Sequence, residues 1–218
     1  MPSIESITFD TTDLNLQGDK NGVRVWYAPS GDAIGLYYFP IKPDIATDIN
    51  SLTSVRSFYG KQIAAANAAV ISIDMLDIDQ CKSVKLIIKV PQEPSGVVYV
   101  GSLTLPFKDF SFVIKMQCAE RGLTGMREAI IMDELLKKGE VKADSSGKIS
   151  GWLQEPYNSN ISSTSVMNKA ELEKYDFRFP EHLLSILRHT LQQIESSIHI
   201  SEEAKRKPKF SKPKFWFS

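Results

Sequence analysis

The chain is poor in the residue types that carry catalysis and has no long apolar run. It contains two cysteines and three histidines among 218 residues. Cys81 and Cys118 are too few for a disulfide framework, and no CxxC spacing indicates a zinc site. No stretch approaches the roughly 18 consecutive apolar residues that span a bilayer, and the first residues, MPSIESITFDTTD, lack the pattern of a secretion signal. We therefore expect a cytoplasmic protein with reduced, buried cysteines.

The sequence also lacks an excess of either charge. Lys and Arg number 26, as do Asp and Glu. A net positive charge that would gather nucleic acid or anionic lipid is therefore missing. Apolar residues are 42% and charged residues 24% of the chain, which is typical of a folded globular protein. Any binding to a membrane or to nucleic acid should be confined to a local patch.

Sequence patterns for catalysis are missing as well. There is no GxSxG, Walker A or HExxH string. His182 and His189 are seven residues apart, so on one helix they could share a metal or form a base beside Glu181. A metal would still need ligands from elsewhere. Surface or boundary histidines are the favoured interpretation, and we predict no catalytic residue, no metal and no cofactor.

What the sequence does have is apolar alternation typical of strands. Val84, Leu86, Ile88 and Val90 share one face of a segment whose other face carries Lys85 and Lys89, which predicts one buried side and one wet side. By the same pattern we predict strands at 3–9, 22–29, 33–40, 69–78, 83–90, 96–105 and 110–118. Short links with Pro, Gly and Asp suggest that the last four form an antiparallel meander.

Helical periodicity marks three further segments. They are 48–59, capped by Thr47 or Asp48 and stopped by Gly60, then 124–138, and 180–198 with Pro180 in its first turn. Polar, turn-rich sequence at 140–175 predicts loops with a short helical piece near 169–175. The predicted fold is α+β, an antiparallel sheet of about six strands flanked by helices in an α/β/α sandwich. We expect one domain at 1–200 and a basic aromatic tail at 201–218 that forms no packed helix.

The string CAERGLTGMREA, residues 118–129, is dense in charge and glycine. One interpretation is an anion site in which Arg121, Thr124, Gly125 and Arg127 surround an oxyanion at a helix N-terminus. The other is a strand-to-helix turn, with Gly122 at positive φ and Thr124 as the N-cap. The turn is favoured, since any such junction needs these residues.

Two other segments could contact a partner. Trp152 and Tyr157 in GWLQEPYN could form an exposed aromatic contact, although packing on the core is the more common role of such rings. In the tail, lysines alternate with aromatic residues, and the candidate contacts are Lys209, Phe210, Lys214, Phe215, Trp216 and Phe217. This pattern suits a groove on another protein, an anionic membrane surface or single-stranded nucleic acid. The alternatives are a solvated end or a tail folded back on the body.

Three strings resemble those of a bacterial protein family with no established activity. They are GLTGMREA at 122–129, GWLQEPYN at 151–158 and YDFRFPEHLLSILRHTLQQIESSI at 175–198. The family strings look like TGMREA, W..DPYD and YD..FPDHPLSR.R, and this chain departs from them at Glu155, Asn158, Leu184 and Ile186. The element order also resembles the PsbP-like fold, which implies an α/β/α sandwich that mostly serves binding.

These observations favour a non-enzymatic protein-interaction factor of bacterial origin, such as an adaptor, a chaperone or an immunity-like protein. Its most direct partner would be another protein. The alternative is a small-anion or nucleotide-binding protein, or an enzyme, that uses the turn at 120–128.

Overall fold

The structure is a computed structural model, and it describes residues 1–121, 125–157 and 165–211. Its strands are β1 Ile7–Thr8, β2 Asn15–Lys20, β3 Val23–Tyr27, β4 Ala33–Phe39, β5 Ala69–Ile78, β6 Cys81–Pro91, β7 Val97–Pro106, β8 Ser111–Ala119, β9 Lys142–Ala143, β10 Ile149–Ser150, β11 Leu153–Gln154, β12 Met167–Asn168 and β13 His199–Ile200. Its α-helices are α1 Leu52–Ala65, α2 Met126–Lys137, α3 Leu183–Ser197 and α4 Glu202–Lys205. Short 3₁₀ helices cover Ile4–Ser6, Lys169–Glu171 and Glu173–Arg178.

The centre of the fold is a seven-stranded antiparallel sheet with the order β2-β3-β4-β8-β7-β6-β5. The predicted meander of β5 to β8 and the α+β class are confirmed. The strand of this sheet that the sequence did not predict is β2, whose six residues NLQGDK are all exposed. The strand predicted at 3–9 is wrong in extent, because Ile4–Ser6 is a 3₁₀ helix and the two-residue β1 pairs with β13 outside this sheet. An edge strand with two wet faces has no apolar alternation, and here a register shift between Leu16 and Gly18 interrupts its pairing with β3.

Helices cover both faces of the sheet. On one face, Leu184, Leu187 and Leu191 of α3 are wholly buried over β7 and β8. Gly101 of β7 permits this close approach, because a Cβ atom there would lie 2.3 Å from Leu191 Cδ1. On the other face, Val55 of α1 packs in a cluster with residues of β5 and β6. The layers therefore form an α/β/α sandwich.

Lys85 and Lys89 of β6 do not face water as predicted. The Nζ atom of Lys89 lies 2.8 Å from Oε1 of Glu171, whose side chain is wholly buried. Lys85 Nζ likewise lies 2.9 Å from Glu195 Oε2 on α3. Both lysine stems lie under the helical layer, and carboxylates from distant segments neutralise their charges. Alternation alone cannot show that a charged face has such partners.

Two predicted helix starts differ from the observed ones because side chains provide caps further along. The helix predicted at 48–59 begins at Leu52, where the Ser51 hydroxyl accepts from Ser54 N, and it continues past Gly60. The helix predicted at 180–198 begins at Leu183 with His182 as its N-cap. A residue with a side-chain acceptor at the N-cap sets the first turn, so Pro180 lies before the helix.

The helix predicted at 124–138 is α2, which begins at Met126. The preceding residue, Gly125, has a φ of 79° and provides no side-chain cap. The predicted cap Thr124 and the glycine Gly122 lie outside the described residues.

The described part of the C-terminal tail packs on the body. After the single turn of α4, the Lys108 amide donates to Pro208 O at 3.0 Å, and Lys209 forms a bridge with Phe107. Phe210 is 7% exposed and lies in the cluster under α1. The expectation of a tail without a packed helix is wrong for residues 202–205, because Ala204 of α4 is wholly buried. Residues 201–211 thus extend the fold instead of leaving it.

Candidate functional sites

The turn after β8 connects neighbouring segments through its charged side chains. Glu120 Oε2 accepts from the Val97 amide at 2.9 Å, at the start of β7. Arg121 Nη2 donates to Gly31 O at 3.4 Å and lies 3.7 Å from Asp32 Oδ1. It therefore contacts the turn between β3 and β4. These charges, which suggested chemistry, have structural partners.

Arg127 is the most buried charged side chain of this turn, with 1% of its surface exposed. Its Nε donates to Ala170 O at 2.7 Å and its Nη1 to Ser185 Oγ at 2.9 Å. Its Nη2 donates to Leu172 O at 3.1 Å and lies 2.9 Å from Asp176 Oδ1. The guanidinium is thus surrounded by protein acceptors and joins α2 to the 3₁₀ segments and to α3.

In this arrangement the guanidinium of Arg127, which belongs to the predicted anion site, is bound by protein acceptors. Arg127 is turned inward, so Arg121 is the exposed member of the two predicted arginines. Thr124, the fourth predicted contact, lies outside the described residues.

A second buried network lies between the sheet and the 3₁₀ segments. The carboxylate of Glu171 accepts from Tyr99 Oη at 2.8 Å, from the Asn168 amide at 2.7 Å and from Lys89. Burial, followed by the charge of Glu171, raises the pKa of Tyr99. Sequence reasoning missed this network, because Glu171 lies in a segment without periodicity.

His182 lies where the two networks meet. Its Nδ1 accepts from the Leu184 amide at 3.2 Å, and its Nε2 lies 3.7 Å from Glu128 Oε1. Burial, followed by the charge of Arg127, lowers the pKa of His182 to about 4. The imidazole is therefore neutral near pH 7 and directs its Nε2–H towards Glu128.

Glu128 is the least satisfied group of this region. Its Oε2 is buried and has no hydrogen-bond partner. Burial raises its pKa, and the charges of Glu171 and Glu120 add to this effect.

The other histidines do not join this group. His189 is exposed on α3, and His199 is 68% exposed with its Nδ1 3.4 Å from Asp79 Oδ2. The shared helical face expected for His182 and His189 does not occur, since His182 precedes the helix. Within the described ranges, no three His, Cys, Asp or Glu side chains are grouped so as to hold a metal ion.

A cavity of about 590 Å³ opens between the turn, the start of α2 and the start of α3. Its apolar wall includes Met126, Phe179, Leu183 and Ile186. Asp32, Glu120, Arg121 and Glu181 contribute charge, with Arg127 and Arg178. This volume lies within the usual range for sites of small organic ligands.

A different surface lies on the α1 side of the sheet, where strands β3, β4, β8 and β7 continue beyond the helix. Strand pairing places Val25 opposite Gly35 and Tyr37 opposite Val113 on this face. We call it the open sheet face. Its described residues are Val23, Val25, Tyr27, Gly35, Tyr37, Phe39, Val98, Val100, Ser102, Thr104, Val113, Lys115 and Gln117.

Aromatic rings give the open sheet face its character. Tyr27 is 45% and Phe39 41% exposed. The rings of Tyr37 and Phe39 stack with centroids 6.2 Å apart. Tyr37 also lies over Gly35, where a Cβ atom would be 2.6 Å from Tyr37 Cε2. Among the residues that the structure describes, no helix covers these rings.

Trp152 and Tyr157 pack on the body instead of forming a joint exposed contact. Trp152 is half-buried against the cluster that contains Ile131. The Tyr157 hydroxyl accepts from the Ile73 amide at 2.9 Å, while Arg56 Nε donates to Ile73 O at 3.1 Å. The Arg56 guanidinium lies 3.9 Å from the centroid of the Tyr157 ring. Together these two side chains close the free edge of β5 at Ile73.

The predicted tail contacts divide into two groups. Phe210 is buried, and Lys209 Nζ lies 5.1 Å from the centroid of the Phe107 ring, so both belong to the fold. Lys214, Phe215, Trp216 and Phe217 lie outside the described residues. None of the helices in the described part of the chain is long and apolar enough to cross a membrane.

Comparison with known proteins gives only weak structural likenesses. No protein-family model matches the chain, and no curated protein matches it. Among solved structures, a crystal structure from Bacteroides thetaiotaomicron VPI-5482 is similar over 56% of this chain and 41% of its own length, with 12% identity and a TM-score of 0.34. The solution structure of cyanobacterial PsbP (CyanoP) from Synechocystis sp. PCC 6803 is similar over 62% of this chain and 85% of its own, with 15% identity and a TM-score of 0.37. Both scores are low, so the fold class rests on the sheet topology described above.

Proposed function

We propose that this protein is a non-enzymatic interaction factor, of the adaptor, chaperone or immunity-like kind, that binds another protein through the open sheet face. The observation that carries the proposal is the stacked pair of Tyr37 and Phe39, with Phe39 41% exposed, on a face without a helical cover in the described residues. Tyr27, which is 45% exposed, lies on the same face at the opposite end of β4, beside Ala33. Clustered exposed rings on a folded protein are unfavourable in water and typical of binding surfaces.

The rigidity of this face also favours binding. Its side chains stand on four central strands of a seven-stranded sheet, and Tyr37 is held over Gly35. A surface that is already ordered loses little conformational entropy on association, so more of the contact energy contributes to affinity. Lys115 and Gln117 near its centre add polar groups that can fix the orientation of a partner.

The test is to isolate complexes of the tagged chain from the organism of origin. We expect one partner in a fixed stoichiometry, and we expect Tyr37→Glu to abolish the complex while circular dichroism shows that the variant is still folded. The matched control is Phe177→Glu, which alters a ring that is 79% exposed on another surface. Retention of the partner by Tyr37→Glu, or its loss with Phe177→Glu alone, would exclude the open sheet face.

A second candidate is a small-ligand binder that uses the turn at 120–128, and the cavity beside that turn supports it. Membrane or nucleic-acid binding through residues 212–218, bacterial origin and a cytoplasmic location remain predictions from the sequence.

A further inference from the structure

The charges around the cavity do not favour the anion that the sequence suggested. Its described wall carries three guanidinium groups, Arg121, Arg127 and Arg178, and three carboxylates, Asp32, Glu120 and Glu181. The three positive and three negative charges would cancel if none of the six groups had another partner. The other partners of each group therefore decide which charges can interact with a ligand.

Each of the three arginines already has an acidic partner. Arg127 pairs with Asp176 behind the cavity wall. Arg178 donates two hydrogen bonds to Glu134 on α2. Arg121 pairs with Asp32, although at 3.7 Å this contact is looser. Asp176 also pairs with Arg188, so the three wall arginines are not fully neutralised, but their N–H groups are largely bound to protein acceptors and few remain for an anion.

Two of the three carboxylates have no cation partner among the described residues. Glu120 accepts one hydrogen bond, from the Val97 amide, and Glu181 is exposed near the start of α3. Glu128, which lies behind His182, has an unpartnered oxygen, and the charge of Glu120 helps to raise its pKa. Glu120 and Glu181 are thus the wall carboxylates that remain open to a cation.

We propose that this cavity binds an organic ammonium ion with an apolar body, an inference that rests on the second candidate function and names its ligand class. The wall formed by Met126, Leu183 and Ile186 receives the apolar body. Glu120 and Glu181 receive the ammonium group.

The experiment compares three probes of equal chain length, hexylammonium, hexanol and hexanoate, at pH 7 with the full-length chain. Binding is followed by NMR through the methyl signals of Met126 and Ile186. We expect saturable shifts with hexylammonium, weaker ones with hexanol and none with hexanoate. Glu181→Gln should weaken hexylammonium binding about three- to fivefold and leave hexanol binding unchanged. The matched control is Glu173→Gln, an exposed carboxylate outside the cavity wall, which should change neither.

The outcomes separate the ligand class from the site itself. Equal binding of hexylammonium and hexanol would keep the cavity as a ligand site but contradict the ammonium class, as would preference for hexanoate or an unchanged affinity in Glu181→Gln. Shifts that do not saturate with any probe would contradict both. Tyr37→Glu should leave hexylammonium binding unchanged, because Tyr37 is not part of the cavity wall.

Discussion

Arg127 Nη2 lies 2.9 Å from Asp176 Oδ1, and only 1% of the arginine side chain is exposed. Asp176 also accepts from Ser185 Oγ at 3.1 Å and from Arg188 Nη1 at 3.0 Å. This single carboxylate therefore connects α2 and α3 to the 3₁₀ segment that contains it. The turn before α2 is therefore a structural junction, and the cavity lies beside it.

The first prediction concerns this junction. Arg127→Met should reduce the free energy of unfolding by about 2–3 kcal/mol, because it leaves the buried Ala170 carbonyl without a donor and removes one of the two arginines that pair with Asp176. Urea unfolding at pH 7 measures the change. Arg121→Met, at a residue that is 63% exposed, should change stability by no more than about 0.5 kcal/mol. Similar losses in the two variants would contradict the assignment of Arg127 as the structural arginine.

The second prediction is a pH dependence from His182. Its pKa is lowered from 6.5 to about 4 in the folded protein. Between these values the unfolded chain binds a proton that the folded chain does not, so stability falls as the pH falls. The slope from this group reaches about 1.4 kcal/mol per pH unit at most.

The variant His182→Asn isolates this contribution, since asparagine is also a good N-cap residue for α3. Between pH 6.5 and pH 4.5 we expect wild type to lose about 2 kcal/mol more than the variant. Glu128, whose raised pKa acts in the opposite direction, is present in both proteins. Parallel stability curves for the two proteins would show that His182 titrates normally in the folded state.

The third prediction concerns the contact between α3 and the sheet. Gly101→Ala should destabilise the protein by about 1–3 kcal/mol, because its Cβ atom would overlap Leu191 Cδ1. In the double variant with Leu191→Ala the methyl group gains room, so the two losses should not add. Additive losses in urea unfolding would mean that the helix shifts away instead of overlapping.

The fourth prediction tests the closed edge of β5. Tyr157→Phe removes the acceptor of the Ile73 amide and should cost about 1–2 kcal/mol. The matched control is Tyr27→Phe, at a ring that is 45% exposed. Hydrogen exchange at the Ile73 amide should accelerate in the first variant only. An unchanged exchange rate would show that Tyr157 does not protect this edge.

The sequence predicts those parts of the fold in which one face is apolar. Strands β5 to β8 and helix α3 have one face in the core, so their periodicity reveals them. Strand β2 has no such face and was missed. Arg127 could be named from its motif, but its partners Ala170 and Ser185 lie 43 and 58 residues away. No local pattern encodes such contacts.

The position of the open sheet face also depends on contacts that no local pattern encodes. The alternation in β3 places Val23 and Val25 on one face and Trp26 on the other, and Trp26 is indeed buried at 6% exposure. Which face then lacks a helical layer depends on where α1 docks, and α1 packs at the β5 edge of the sheet. The open sheet face is therefore a property of the tertiary arrangement.

Hydroxyl-radical footprinting of the purified complex tests the central claim most directly, because it reports the solvent access of individual rings. We expect Tyr27, Tyr37 and Phe39 to be oxidised more slowly in the complex than in the free protein, and Phe177 to be oxidised at the same rate in both. Unchanged oxidation of the three rings in a complex of fixed stoichiometry would contradict binding through the open sheet face.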